Sequence, residues 1–363
     1  VLKLKNKILV KRDTTYIEFL RIIAILLVIF NHTGDKGFFL FSISTNSIFY
    51  WFYLFISISC KIAVPLFFMI SGALLIKKDE SIKTLFKKRI IKFIIIILIF
   101  SFIQYIYYSV IKNQFAFSVS DFLVKTYSLS MATSYWYLYS YLGLLLMLPF
   151  IRKMAKNMTE NEYIYLAVMQ IVFVGLLPIL QYIFVKENYT LNSSFSAPII
   201  ICSNVFYFTM GHYFENVFEQ KNYTKRTTLL VSIVSFACIL ISCLMTNYKA
   251  IITGEFSEGT SQAFHMCLIA VPTFTTFFLV KYMFQKISIS DIINKIIITI
   301  GSCTFGIMLF ENIFRENEVF IFHILNPHIG NLLSCIIWVS AIFLSALLLT
   351  LILKRVPFIK KLL

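Results

Sequence analysis

Charge is scarce in this chain: only 14% of its 363 residues are Asp, Glu, Lys or Arg. Glycine and proline are scarce as well, at 11 and 7 residues, so the composition excludes both an intrinsically disordered chain and a collagen-like repeat. Cysteine is sparse and unpatterned. Cys60, Cys202, Cys238, Cys243, Cys267, Cys303 and Cys335 contain no Cys-x-x-Cys pair and all lie in apolar stretches. They read as small core side chains, not as a disulfide framework or a zinc site. No GxSxG, HExxH, P-loop or dinucleotide-binding fingerprint is present. Acidic residues number 17 against 33 Lys and Arg, for a net charge of +16. These basic residues sit between apolar runs and do not cluster with aromatics on a polar face. That pattern argues against nucleic acid and for cytoplasmic loops in contact with anionic lipid.

What is abundant is hydrocarbon. Hydrophobic residues make up 59% of the chain and its mean hydropathy is +0.83, whereas soluble domains lie near ~45–50% apolar. Apolar runs between polar breaks define ten candidate spans: 16–31, 48–76, 93–111, 136–151, 163–185, 197–214, 228–247, 264–282, 296–314 and 331–353. Pro65 is the expected kink in the long second span. Counting Lys and Arg on alternate sides places 25 on one and 6 on the other. The basic segments 1–13, 77–92, 152–156, 221–226, 281–295 and 354–361 are therefore expected in the cytoplasm, with both termini. Segments 33–46 and 317–329 are expected outside. No small-residue cleavage site follows the basic start, so the first span reads as a retained helix. The expected fold is an all-α polytopic transmembrane helix bundle, one integral domain over residues 1–363 without a fused soluble domain.

An ionisable group in hydrocarbon costs at least ~2.5–3.5 kcal/mol and calls for a reason. Glu18, Arg21 and His32 all lie on or beside the first span. At 100° per residue, Arg21 and His32 fall within about 20° of one another and ~16 Å apart along the axis. Glu18 is one turn before Arg21 and positioned to pair with it. This stripe suggests a polar path. Lys61 lies in the second span before Val64-Pro65-Leu66-Phe67-Phe68-Met69-Ile70-Ser71-Gly72, where it either snorkels or lines a cavity. Ser71-Gly72 marks either a close helix contact or a lining position. Glu311, late in the ninth span, is either a solvated helix end or a second polar group of the same site. His212 and His265 read as satisfied core or helix-end residues, and His323 and His328 as loop residues without metal partners. Arg89 and Lys92, with Lys88 beside them, share a helical face at the cytoplasmic start of the third span. They serve either as topology signals or as a polyphosphate site.

Taken in order, these residues resemble the membrane-integral acyltransferase-3 superfamily. Arg21, ten residues and His32 match its Arg-x10-His signature. Pro65-Leu66-Phe67-Phe68-Met69-Ile70-Ser71-Gly72 is similar to its PxFFxxSG segment, and Arg89-x-x-Lys92 to its RxxR element. Trp136-Tyr137-Leu138 resembles its WFL opening, and Thr304-Phe305-Gly306-Ile307 its SFGIYLxH segment, with Glu311 where many members carry His. The resemblance implies an acyl-CoA-dependent O-acyltransferase of the bacterial cytoplasmic membrane, with acetyl-CoA the default donor and no permanently bound cofactor or metal. The implied acceptor is a hydroxyl of a cell-surface or lipid-linked glycan. It also implies His32 as general base, with Arg21 and Glu18 at the reacting carbonyl, and Arg89, Lys92 and Lys88 at the CoA phosphates. Lys61, Ser71, Trp136 and Glu311 would then face the acceptor. An exporter of polysaccharide or lipid-linked sugar, with a polar conduit and no covalent chemistry, is the rival expectation.

Overall fold

The computed structural model describes residues 14–43, 48–185, 200, 204–218, 224–254 and 264–363. The basic segment 1–13, Cys202, Lys186, Lys221 and the first part of the sixth expected span lie outside the described residues. The described residues are helical and contain no strand, as hydrocarbon requires of chains that must bond their own backbone. In chain order the principal helices are α1 (Thr15–Asn31), α2 (Ile48–Cys60), α3 (Ala63–Leu75), α4 (Ile82–Ile111), α5 (Val119–Ser128), α6 (Trp136–Asn157) and α7 (Glu160–Phe184). They continue as α8 (Asn204–His212), α9 (Lys225–Thr253), α10 (Ala270–Lys286), α11 (Asp291–Gly301), α12 (Thr304–Asn317), α13 (Val319–Ile329) and α14 (Asn331–Leu353).

By length and composition, α2 with α3, α4, α6 (with residues 133–135), α7, α9 and α14 are each able to cross a membrane, and α11 with α12 makes a seventh such element if counted as one broken span. Helices α1 and α10, at 17 residues each, fall just below that length. The last expected span coincides with α14. Others shift. The third begins at Ile82, where Ser81 caps α4 by accepting the Thr84 N–H. Residues 319–329, expected as a loop, form α13 and carry His323 and His328 on a helix.

Two expected spans are broken. The second parts at Lys61 and Ile62, not at Pro65. The cause is still Pro65: it has no N–H to offer the Lys61 carbonyl, so the ladder resumes only with Leu66 N–H to Ile62 O at 2.9 Å. The ninth parts at Ser302-Cys303. There Gly, Ser and Cys are weak helix formers, and Lys354 Nζ donates to the freed Ser302 carbonyl at 2.5 Å.

The helices gather into two compact units that alternate along the chain, residues 1–77 with 154–301, and 78–153 with 302–363. In the first unit α1 is the hub, packed against α2, α3, α10 and α11. Its buried side chains therefore run round most of its circumference, with Ile17, Leu20, Ala24, Ile25 and Ile29 almost wholly enclosed. Helices α3 and α8 make the closest crossing. A Cβ at Gly72 or Gly211 would overlap the backbone of the facing helix at Phe208 or Met69, so glycine alone permits this approach. In the second unit α12 and α13 pack on α14, and Tyr135 ties the start of α6 to α12 by donating to the Leu309 carbonyl at 2.8 Å. Large apolar side chains remain exposed along α9, among them Leu229, Ile233, Phe236, Leu240 and Leu244. In a membrane such a face meets lipid.

Candidate active site

In the first unit, the expected pair on α1 is formed. Arg21 donates to Glu18 Oε1 at 2.7 Å, with side-chain exposures of 28% and 17%. Both residues are one helical turn apart, so local geometry alone brings them together. Glu18 also meets the end of α11. Gly301 packs so closely there that a Cβ would lie 2.5 Å from Glu18 Cβ, and the second carboxylate oxygen is buried without a hydrogen-bond partner among the described residues. A half-satisfied carboxylate next to an arginine, inside an apolar unit, is where an ionic or strongly polar group of a substrate gains most.

His32 closes the other end of α1. Its N–H reaches the Val28 and Ile29 carbonyls, and its side chain is half-buried. The preceding residue, Asn31, donates to the Cys60 carbonyl at 3.1 Å. That bond joins the end of α1 to the end of α2, so His32 and Lys61, each the next residue along, flank one junction. Thr33 then turns the chain back. Its hydroxyl donates to the Phe30 carbonyl at 2.7 Å and accepts the Phe38 N–H at 3.0 Å, which buries Phe38. The Lys61 ammonium lies 4.4 Å from the centre of the Phe38 ring, a cation–π contact that partly replaces lost water.

His265 belongs to the same neighbourhood, against Phe38 and Phe41, and is electrostatically coupled to Lys61. It is 0% exposed, and neither ring nitrogen has a hydrogen-bond partner among the described residues. The expectation of a satisfied core histidine holds for His212, whose Nδ1 is 3.0 Å from Asn216 Nδ2, and fails for His265. Sequence reasoning did not single out His265, because a lone histidine in an apolar run has no local signature. Ser71 sits half-buried beside the Gly72 crossing, where the close helix contact is the feature the structure displays.

In the second unit the basic element at the start of α4 is divided. Lys88 and Lys92 are exposed, while Arg89 is half-buried and engaged. Arg89 Nε and NH2 form a two-bond fork on Glu80, at 2.9 and 2.6 Å, and Arg152 from α6 donates to the same carboxylate at 3.0 Å. The hydrogen bonds from Arg89, then Arg152, hold the Glu80 carboxyl down to about 2. Neither Glu80 nor Arg152 was legible as a site residue, since they are 72 positions apart.

Glu311 is 0% exposed, which rules out the solvated helix-end reading. Its carboxylate lies 3.5 Å from Arg315 Nε, one turn on. The next residues extend a polar seam: Asn312 Nδ2 donates to Tyr108 Oη at 2.7 Å, and Tyr108 donates to Glu316 at 2.5 Å. Gln104, on the same face of α4, is fully buried. Trp136 stands at the start of α6 with 44% of its surface exposed, while its neighbour Tyr135 is the enclosed residue.

Apolar helices of spanning length, with ionisable groups buried among them, define a polytopic all-α membrane protein. The chain belongs to the acyltransferase-3 family: the family model, described as an acyltransferase domain, matches residues 14–355, nearly its whole length. It is a membrane acyltransferase. No curated protein and no solved structure matches it.

Proposed function

We propose that this acyltransferase moves an acyl group, acetyl in the simplest case, from acyl-CoA at the cytoplasmic face of a bacterial membrane to a hydroxyl of a cell-surface or lipid-linked glycan. The observation that carries the proposal is α1 itself: an arginine oriented by Glu18 in its first turns, and a half-buried histidine at its far end, where Asn31 ties α1 to the Cys60 carbonyl. His32 takes the proton of the acceptor hydroxyl, because imidazole is the side chain suited to proton exchange near neutral pH. The hydroxyl oxygen attacks the thioester carbonyl, the C–S bond breaks, and the proton passes from His32 to the departing CoA thiolate. Arg21 polarises the carbonyl or orients the CoA arm. Arg89 and Lys92, with Lys88, receive the CoA phosphates. Lys61 and Glu311 serve the acceptor, each within its own unit. Ser71 and Trp136 are secondary candidates for acceptor contact.

The test is turnover by purified protein in detergent. Acetyl-CoA should release free thiol and label a glycan acceptor detected by mass spectrometry. His32→Ala should lower transfer by ~100-fold or more while leaving CoA affinity intact. Arg89→Ala should instead weaken CoA binding by about 1.5–3 kcal/mol. Glycan movement without thiol release would establish an exporter and end this proposal.

A further inference from the structure

Two arginines from different helices converge on one carboxylate at the start of α4. Arg89 binds Glu80 through a two-bond fork and Arg152 adds a third bond at 3.0 Å. The planar guanidinium fork fits a phosphate as well as it fits a carboxylate. The surroundings favour the anion of higher charge: Lys87, Lys88 and Lys92 are exposed on the same turns of α4, against Asp79 beside Glu80. The partners also differ in how they are held. Arg89 and Arg152 are fixed on helices, and Arg152 is only 8% exposed. Glu80 comes from the non-helical segment before α4.

We propose that Arg89 and Arg152 form a phosphate-binding site whose resting occupant is the protein's own Glu80 carboxylate, and that an incoming phosphate of acyl-CoA displaces it. This rests on the acyl-CoA reading above and adds two residues to it, Arg152 as a ligand and Glu80 as an internal competitor. Withdrawing the carboxylate from a guanidinium in so enclosed a position is costly, so the site exchanges one anion for another and does not simply open. Glu80, whose carboxyl is held down to about 2, does not leave by protonation near neutral pH. It leaves only when a stronger anion arrives.

Binding of CoA and of inorganic pyrophosphate to the full-length detergent-solubilised protein, measured by calorimetry, tests this. Glu80→Gln keeps the side chain's shape and removes its charge, and should tighten both probes by ~10-fold. Arg152→Gln should weaken both by ~10-fold or more, and Arg152→Lys, which keeps charge without the fork, should fall between Gln and wild type. If Arg152→Gln does not yield monodisperse protein, the Glu80→Gln and Arg152→Lys arms decide. Affinity that is unchanged or weaker in Glu80→Gln makes the cluster a structural staple and overturns the site. CoA binding that ignores Glu80 and Arg152 overturns the site and leaves the acyl-CoA reading standing. Pyrophosphate binding in the expected order without CoA binding keeps the site and removes that reading. If no variant binds either anion, both fall.

Discussion

The crossing of α3 and α8 offers a prediction that is independent of any activity. A methyl group at Gly72 would put its carbon 2.6 Å from the Phe208 carbonyl carbon, and one at Gly211 would lie 2.6 Å from Met69 Cα. Carbon atoms rest at ~3.5–4.0 Å, and the facing carbonyl oxygens of Phe208 and Met69 lie nearer still, so the helices must part by more than ~1 Å. Both opposing atoms are backbone, and no side chain can rotate away. The cost belongs at the upper end of the overpacking range, ~3 kcal/mol. Gly72→Ala should therefore lower the thermal midpoint in detergent by about 5–10 °C, on the scaling for larger domains. Gly211→Ala should do the same, and the double variant should cost less than the sum, because the first methyl already opens the shared crossing. Gly143→Ala is the control: nothing lies within 4 Å of its Cβ position, and the substitution removes only backbone freedom within α6. It should be neutral or stabilising by ~0.5–1 kcal/mol. Midpoints for Gly72→Ala and Gly143→Ala that coincide would refute the close crossing.

Three further outcomes are expected. The hydrogen bonds from Arg89 and Arg152 hold the folded Glu80 carboxyl down to about 2, below its ordinary value of 4.5, so its pairing stabilises above about pH 4.5 and that contribution is lost as pH falls towards 2. Thermal midpoints of the wild type should drop more steeply than those of Glu80→Gln over that window, and parallel curves would show that the ion pairs add nothing. Lys61→Met and Glu311→Gln should reduce acceptor turnover at unchanged folded yield, and wild-type rates in both would remove them from the acceptor path. From the excess of Lys and Arg in segment 77–92, Ser81 is expected on the cytoplasmic side. A cysteine at that position should resist membrane-impermeant thiol reagents in intact cells, and labelling from outside would reverse the topology and the direction of transfer.

The sequence by itself determined what depends on composition and on neighbours along one helix. Its hydrocarbon content required a helical membrane protein, and one-turn spacing paired Glu18 with Arg21. The ordered motifs from Arg21 to Gly306 resembled the family whose model matches residues 14–355. Proline chemistry forecast a break in the second span, displaced by the four residues that separate Pro65 from the carbonyl it cannot serve. Tertiary structure alone decided which of these groups is enclosed and by what. It buried Glu311, left both nitrogens of His265 without hydrogen bonds among the described residues, pressed Gly72 onto Gly211's helix, and brought Arg152 to Glu80. The reason is physical. In lipid the outside of a helix is as apolar as its inside, so hydropathy does not mark the buried face, and crossings follow from small residues and polar contacts between distant segments.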